Sequence, residues 1–144
     1  MRAAALGLTA LFIVACGGAE SGDMDEAAGL SASDLAGTWD LRAYPAGSDS
    51  AVTYQVVATA DPAGWTMRMP GREPVGIRVT IAGDSLVTVT GPFESVLRPG
   101  VMVTTTMVAR LENGRMVGTM VARYEGAGAD SVLTGRIEGT PAAQ

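Results

Sequence analysis

From Asp34 onward, apolar and polar residues alternate with a period of two, in runs bounded by Gly, Pro, Asn and Asp, and no stretch carries a helical period. The runs predict eight strands, over residues 37–44, 52–60, 64–69, 75–82, 85–90, 101–112, 115–124 and 131–139. Two connections are only two residues long. Gly83-Asp84 joins the fourth and fifth strands and Asn113-Gly114 joins the sixth and seventh, and Asn-Gly is the strongest short hairpin signal in any sequence. Neighbouring strands therefore pair antiparallel. A short repeat, Asp49-Ser50, Asp84-Ser85 and Asp130-Ser131, opens three of the strands. Side-chain to backbone bonds closing each turn explain it; a shared cation site would require all three aspartates at one end of the fold.

Alternation also predicts the inward face. Val75, Ile77, Val79 and Ile81 share one side of the fourth strand, and Met116, Gly118, Met120, Ala122 and Tyr124 one side of the seventh. The same phase places Trp39, Leu41, Tyr54, Val56, Trp65, Met67, Met69, Val103, Met107, Leu133 and Ile137 inside. Eight consecutive antiparallel strands bury such a face by closing into an up-and-down barrel or by folding into a sandwich, and closure has the added effect of removing exposed edges. The expected fold class is all-β, a small eight-stranded antiparallel up-and-down barrel.

The interior of that barrel is rich in methionine and holds the small residues Gly118, Ala122 and Gly135. Light filling favours a cavity, and an eight-stranded barrel either fills with side chains or holds one small ligand. Candidate ligand contacts are Trp39, Tyr54, Trp65, Met67, Met107, Met116, Met120 and Tyr124. Because Met also fills gaps, a packed core is the alternative. The connection over residues 91–100 places Phe93, Val96 and Leu97 where polar residues are expected, which marks it as a lid over the barrel mouth or a surface for a protein partner.

Composition narrows the chemistry. At 144 residues, 47% hydrophobic and 17% charged, with mean hydropathy +0.24, the chain reads as a single folded domain. It has no His and one Cys, and its ten basic residues are all Arg. Histidine bases, His/Cys zinc sites, the P-loop lysine and Schiff-base chemistry are thereby excluded, as is an internal disulfide. No Gly-x-Ser-x-Gly elbow, acidic metal loop or paired-carboxylate spacing is present. The expectation is no enzyme, no metal and no cofactor. Of the net charge of −5, Arg2 supplies +1, residues 17–33 supply −4, and residues 34–144, with 9 Arg against 11 acids, supply −2. Without a basic stripe, nucleic-acid binding lacks its driving force.

The N-terminus has a different character. Met1-Arg2 precedes an apolar run over residues 3–15, broken by Gly7 and Thr9 and ending in Ala15 before Cys16. That is the anatomy of a signal peptide, and it is shorter than the roughly 20 apolar residues that span a bilayer. Residues 17–33, rich in Gly, Ala and Ser with four acids and no base, read as a flexible tether. The expected organisation is a signal peptide over 1–15, Cys16 with an acidic tether over 16–33, and a barrel domain over 34–144.

Ile13-Val14-Ala15-Cys16 resembles the lipobox of bacterial lipoproteins. The resemblance implies that Cys16 is lipidated and becomes the mature N-terminus, so that the chain is exported and lies on a bacterial membrane through acyl chains, two or more of which give stable attachment. Gly17, where an Asp would signal inner-membrane retention, implies the outer membrane. The alternative is a conventional secretory signal. Further on, Asp34-Leu35-Ala36-Gly37-Thr38-Trp39 carries a Gly-x-Trp that resembles the opening signature of the lipocalins and their calycin relatives. That resemblance implies an eight-stranded barrel with one open mouth, a Trp closing its base and an interior that carries small apolar ligands. Independently, a buried indole N–H at Trp39 needs a partner such as a backbone carbonyl at the barrel floor, and Arg123 or Arg136 is placed to stack on it. Two functions stay open: carriage of a small apolar ligand in the cell envelope, or a filled barrel serving as an interaction or assembly module.

Overall fold

The computed structural model describes residues 29–126 and 128–143. The strands are β1 (Gly37–Pro45), β2 (Val52–Ala58), β3 (Thr66–Arg68), β4 (Val75–Ala82), β5 (Ser85–Glu94), β6 (Met102–Glu112), β7 (Arg115–Tyr124) and β8 (Val132–Pro141). Each pairs antiparallel with its sequence neighbour and β1 closes on β8, giving an eight-stranded closed barrel rather than a sandwich. The fold follows from local chemistry: Asn113 and Gly114 both adopt positive φ, 52° and 76°, the backbone that a tight two-residue hairpin demands.

Two strands depart most from their sequence expectation, while the ends of β1, β2, β6 and β8 move by one or two residues. β3 is cut to three residues because Asp61 caps a 3-10 turn at Pro62–Gly64, which consumes the start of the run. β5 does not stop at Thr90. The ladder with β6 shifts register between Thr90 and Phe93, so Gly91-Pro92, which reads as a terminator, is instead a bulge within the strand. Gly91 has φ 118° and lies so close to β6 that a Cβ there would meet the Val103 carbonyl at 2.6 Å. Phe93 is consequently a half-buried wall residue and not a loop residue.

One end of the barrel is plugged. The Leu30 N–H donates to the Gly83 carbonyl at 2.9 Å. Ser31 then caps a 3-10 turn at Ala32–Leu35, its hydroxyl accepting from the Asp34 N–H while the Asp34 carboxylate accepts from the Ser31 N–H. Among the described residues the chain is thus tied to the barrel at Leu30, four residues before Asp34. Leu35 is wholly buried beneath the barrel, and its carbonyl accepts the Trp39 indole N–H at 2.7 Å. Leu41, Leu86, Met116 and Ile137 fill the space above it, and the Trp65 indole donates to the Thr59 carbonyl at 2.8 Å. Neither arginine stacks on Trp39: Arg136 lies 4.0 Å over the Tyr44 ring on the outer face. The signal-like run, Cys16 and nearly all of the acidic segment lie outside the described residues.

Of the small interior residues, Ala122 faces open space, whereas the two glycines have a different cause from the one their size suggests. A Cβ on Gly118 would fall 2.0 Å from the Val108 carbonyl oxygen, and one on Gly135 would fall 2.5 Å from that of Tyr44. These glycines let neighbouring backbones approach and leave no room behind them.

Candidate functional site

The strands converge on a second, unfilled end. Ala43 and Pro45 of β1, Val52 of β2, Phe93 of β5 and Tyr124 of β7 sit at the end opposite Leu35, and around them is a cavity of about 80 Å³. Its lining is mostly apolar. Of the expected ligand contacts, Tyr54, Met67, Met107, Met120 and Tyr124 line it, together with Phe93, Val96 and Leu97. Trp39, Trp65 and Met116 do not. They belong to the filled base, because alternation fixes which face a residue takes but not its height along the barrel.

The sequence reading missed four hydroxyl residues in the lining: Thr88, Thr90, Ser95 and Thr105. In Leu86-Val87-Thr88-Val89-Thr90 either phase of alternation is plausible. The structure turns Leu86, Thr88 and Thr90 inward and leaves Val87 and Val89 half-buried outside. Ser95 is 2% exposed, and its hydroxyl accepts the N–H groups of Leu97 and Arg98, each at 3.1 Å. Among the described residues no buried side-chain polar atom lacks a partner. Burial alone pushes the Tyr54 phenol above the ordinary tyrosine range, so the ring sits neutral in an apolar wall.

The connection after β5 overhangs this cavity. The Ser95 N–H donates to the Val101 carbonyl at 2.9 Å, Gly100 N–H donates to the Glu94 carboxylate at 3.1 Å, and the Arg72 guanidinium donates to the Glu94 carbonyl. Arg98 stacks 4.1 Å from the Tyr124 ring and donates to the Asp130 carbonyl at 2.7 Å. Held in this way, the loop leaves Val96 and Leu97 45% and 49% exposed at the mouth.

A second space lies on the outer surface of β1 to β3, a groove of about 430 Å³ lined by Asp40, Arg42, Thr53, Gln55 and Arg68, with Tyr54 and Met69 at its floor. The repeated aspartates, by contrast, do not converge on one site. Asp49 and Asp130 precede strands that start at the mouth and Asp84 one that starts at the base. Among the described residues no group of three or more carboxylates, His or Cys is placed to hold a metal. Ser48, rather than Asp49, closes the first of these turns, accepting from the Ser50 N–H at 3.2 Å. No described helix is long and apolar enough to cross a membrane.

Fold and site together define a small closed β-barrel with a plugged base and an apolar, methionine-lined cavity beneath its other end. Comparison with family models, with curated proteins and with solved structures finds no match to this chain.

Proposed function

We propose that the chain is a lipid-anchored protein of a bacterial envelope, the outer membrane in particular, whose barrel binds or carries a small apolar ligand. The observation that carries this reading is the asymmetry of the interior: sealed and filled around Leu35 and Trp39, apolar and unfilled around Tyr54, Met107 and Met120. The lipobox resemblance at Ile13 to Cys16 supports the anchor. At about 80 Å³ the cavity is below the roughly 300–1,000 Å³ of sites that enclose a drug-sized molecule. The occupant is therefore slender, and the unbranched, rotatable side chains of Met67, Met69, Met107 and Met120 shift to admit it.

The small volume also supports a second reading, in which the core counts as filled and the exposed Val96 and Leu97 contact a protein partner. The buried core runs from Leu35 to Ile137, so the chain from residue 17 onward carries it whole. Titrating that chain with N-phenyl-1-naphthylamine separates the readings. The carrier reading expects saturable fluorescence enhancement at one site, abolished in Met120→Trp. Absence of a saturable site in a folded protein favours the interaction module.

A further inference from the structure

The barrel wall is not equally closed all the way round. β2 pairs with β1 from Val52 to Ala58 but with β3 only from Gln55 to Val57. β3 in turn meets β4 only at the pairs Thr66/Gly76 and Met67/Val75. Beyond Arg68 the chain leaves the sheet through Met69, Pro70 and a turn, so the edge of β2 at Val52, Thr53 and Tyr54 has no strand beside it on that side. No ladder hydrogen bonds hold the wall shut there.

The outer groove of about 430 Å³ lies over this gap. Tyr54 and Met69 line both the groove and the inner cavity, and they form the partition between the two. The mouth is tied down by the bonds of Ser95, Glu94, Arg72 and Arg98, whereas the partition consists of two side chains and an unpaired strand edge. Around the groove stand Arg42 and Arg68, both exposed, and among the described residues neither makes an ion pair. The groove's carboxylate, on Asp40, accepts a hydrogen bond from the Gln55 amide at 2.8 Å. The three charges sum to +1.

We infer that the gap between β2 and β3 is a side portal, and that the groove above it seats the anionic headgroup of a single-chain amphiphile whose hydrocarbon tail passes between Tyr54 and Met69 into the cavity. The inference rests on the carrier reading and adds to it a route in and a ligand class. The guanidinium fork of each arginine matches a carboxylate or a phosphate. The polar groove and the apolar cavity, joined at one partition, match the two ends of such a molecule. A cavity of about 80 Å³ then takes the leading part of the tail.

The test is calorimetric titration of the chain from residue 17 onward with three probes sharing one tail and kept below micellar concentrations: dodecanoate, dodecyl phosphate and dodecyltrimethylammonium. Both anions are expected to bind at least about tenfold more tightly than the cation, since hydrogen bonds to charged groups carry differences of that size. The double substitution Arg42→Ala, Arg68→Ala should erase that preference while leaving the cation's affinity unchanged. Thr53→Trp, a change at an exposed position that fills the groove, should weaken both anions. Preference for only one of the anions identifies the headgroup as carboxylate or phosphate within the same site. Equal binding of all three probes, unmoved by the arginine and Thr53 changes, overturns the portal while the carrier reading stands. Failure of all three probes to bind to a folded protein overturns both.

Discussion

The indole N–H of Trp39 donates to the main-chain carbonyl of Leu35 at 2.7 Å, four residues back along the chain. This one bond ties the first strand to the 3-10 turn that plugs the barrel. It makes the base a filled floor, opposite the unfilled end around Tyr54, Met107 and Met120.

Trp39→Phe keeps a large ring but leaves the buried Leu35 carbonyl without its donor. The expected loss is about 1–3 kcal/mol, the cost of an unsatisfied buried group, measured by urea unfolding. Binding of an apolar probe at the far end should be unchanged.

Gly118→Ala and Gly76→Ala form a contrasting pair. At Gly118 a Cβ would meet the Val108 carbonyl at 2.0 Å and the Ala109 Cα at 2.7 Å, whereas at Gly76 nothing lies within 4 Å. Overpacking against the backbone at Gly118 is expected to cost about 1–3 kcal/mol or more. Gly76→Ala should be neutral or stabilising by up to about 1 kcal/mol through the unfolded chain. Thermal unfolding of the two variants checks the order.

Much of this architecture was legible in the sequence. Period-two alternation and the turns at Gly83-Asp84 and Asn113-Gly114 gave the eight strands and their antiparallel order, and the Gly37-x-Trp39 opening pointed to closure. Legibility failed where the signal was local and the determinant was not. Gly91-Pro92 reads as a breaker until the close approach of Val103 shows it as a bulge. Thr88 and Thr90 face inward although their valine neighbours are the more apolar, because the phase of β5 is set by its partners. Trp65 and Met116 share a face with Met67 and Met120 but not a depth, and depth depends on strand stagger, which no single strand encodes. The groove over β2 exists because β3 ends at Arg68, a consequence of the turn at Pro70 for the neighbouring strand.

Ser95→Ala removes the acceptor for two loop N–H groups, those of Leu97 and Arg98. The variant is expected to lose about 1 kcal/mol and to show faster amide exchange over residues 96–101. Strand amides of β6 and β7 should keep their protection.

Asp34 titrates below its ordinary value of 3.8 because the Ser31 hydroxyl, and then its backbone N–H, hydrogen-bond the carboxylate. A folded-state value below the unfolded one stabilises the cap above about pH 4, and that contribution fades as pH falls through the lowered value. An NMR titration should place the Asp34 midpoint below 3.8 in the native protein and return it toward 3.8 in Ser31→Ala.

The most direct test of the barrel as a carrier is native mass spectrometry, with lipid extraction in parallel, on the chain from residue 17 onward purified from a bacterial envelope extract. The prediction is a co-purifying apolar or amphiphilic molecule of defined mass, present at one per chain and lost in Met120→Trp with the fold intact. A folded protein that shows only its apo mass, wild type and variant alike, would contradict the carrier and turn attention to the exposed Val96 and Leu97 as a protein-binding edge.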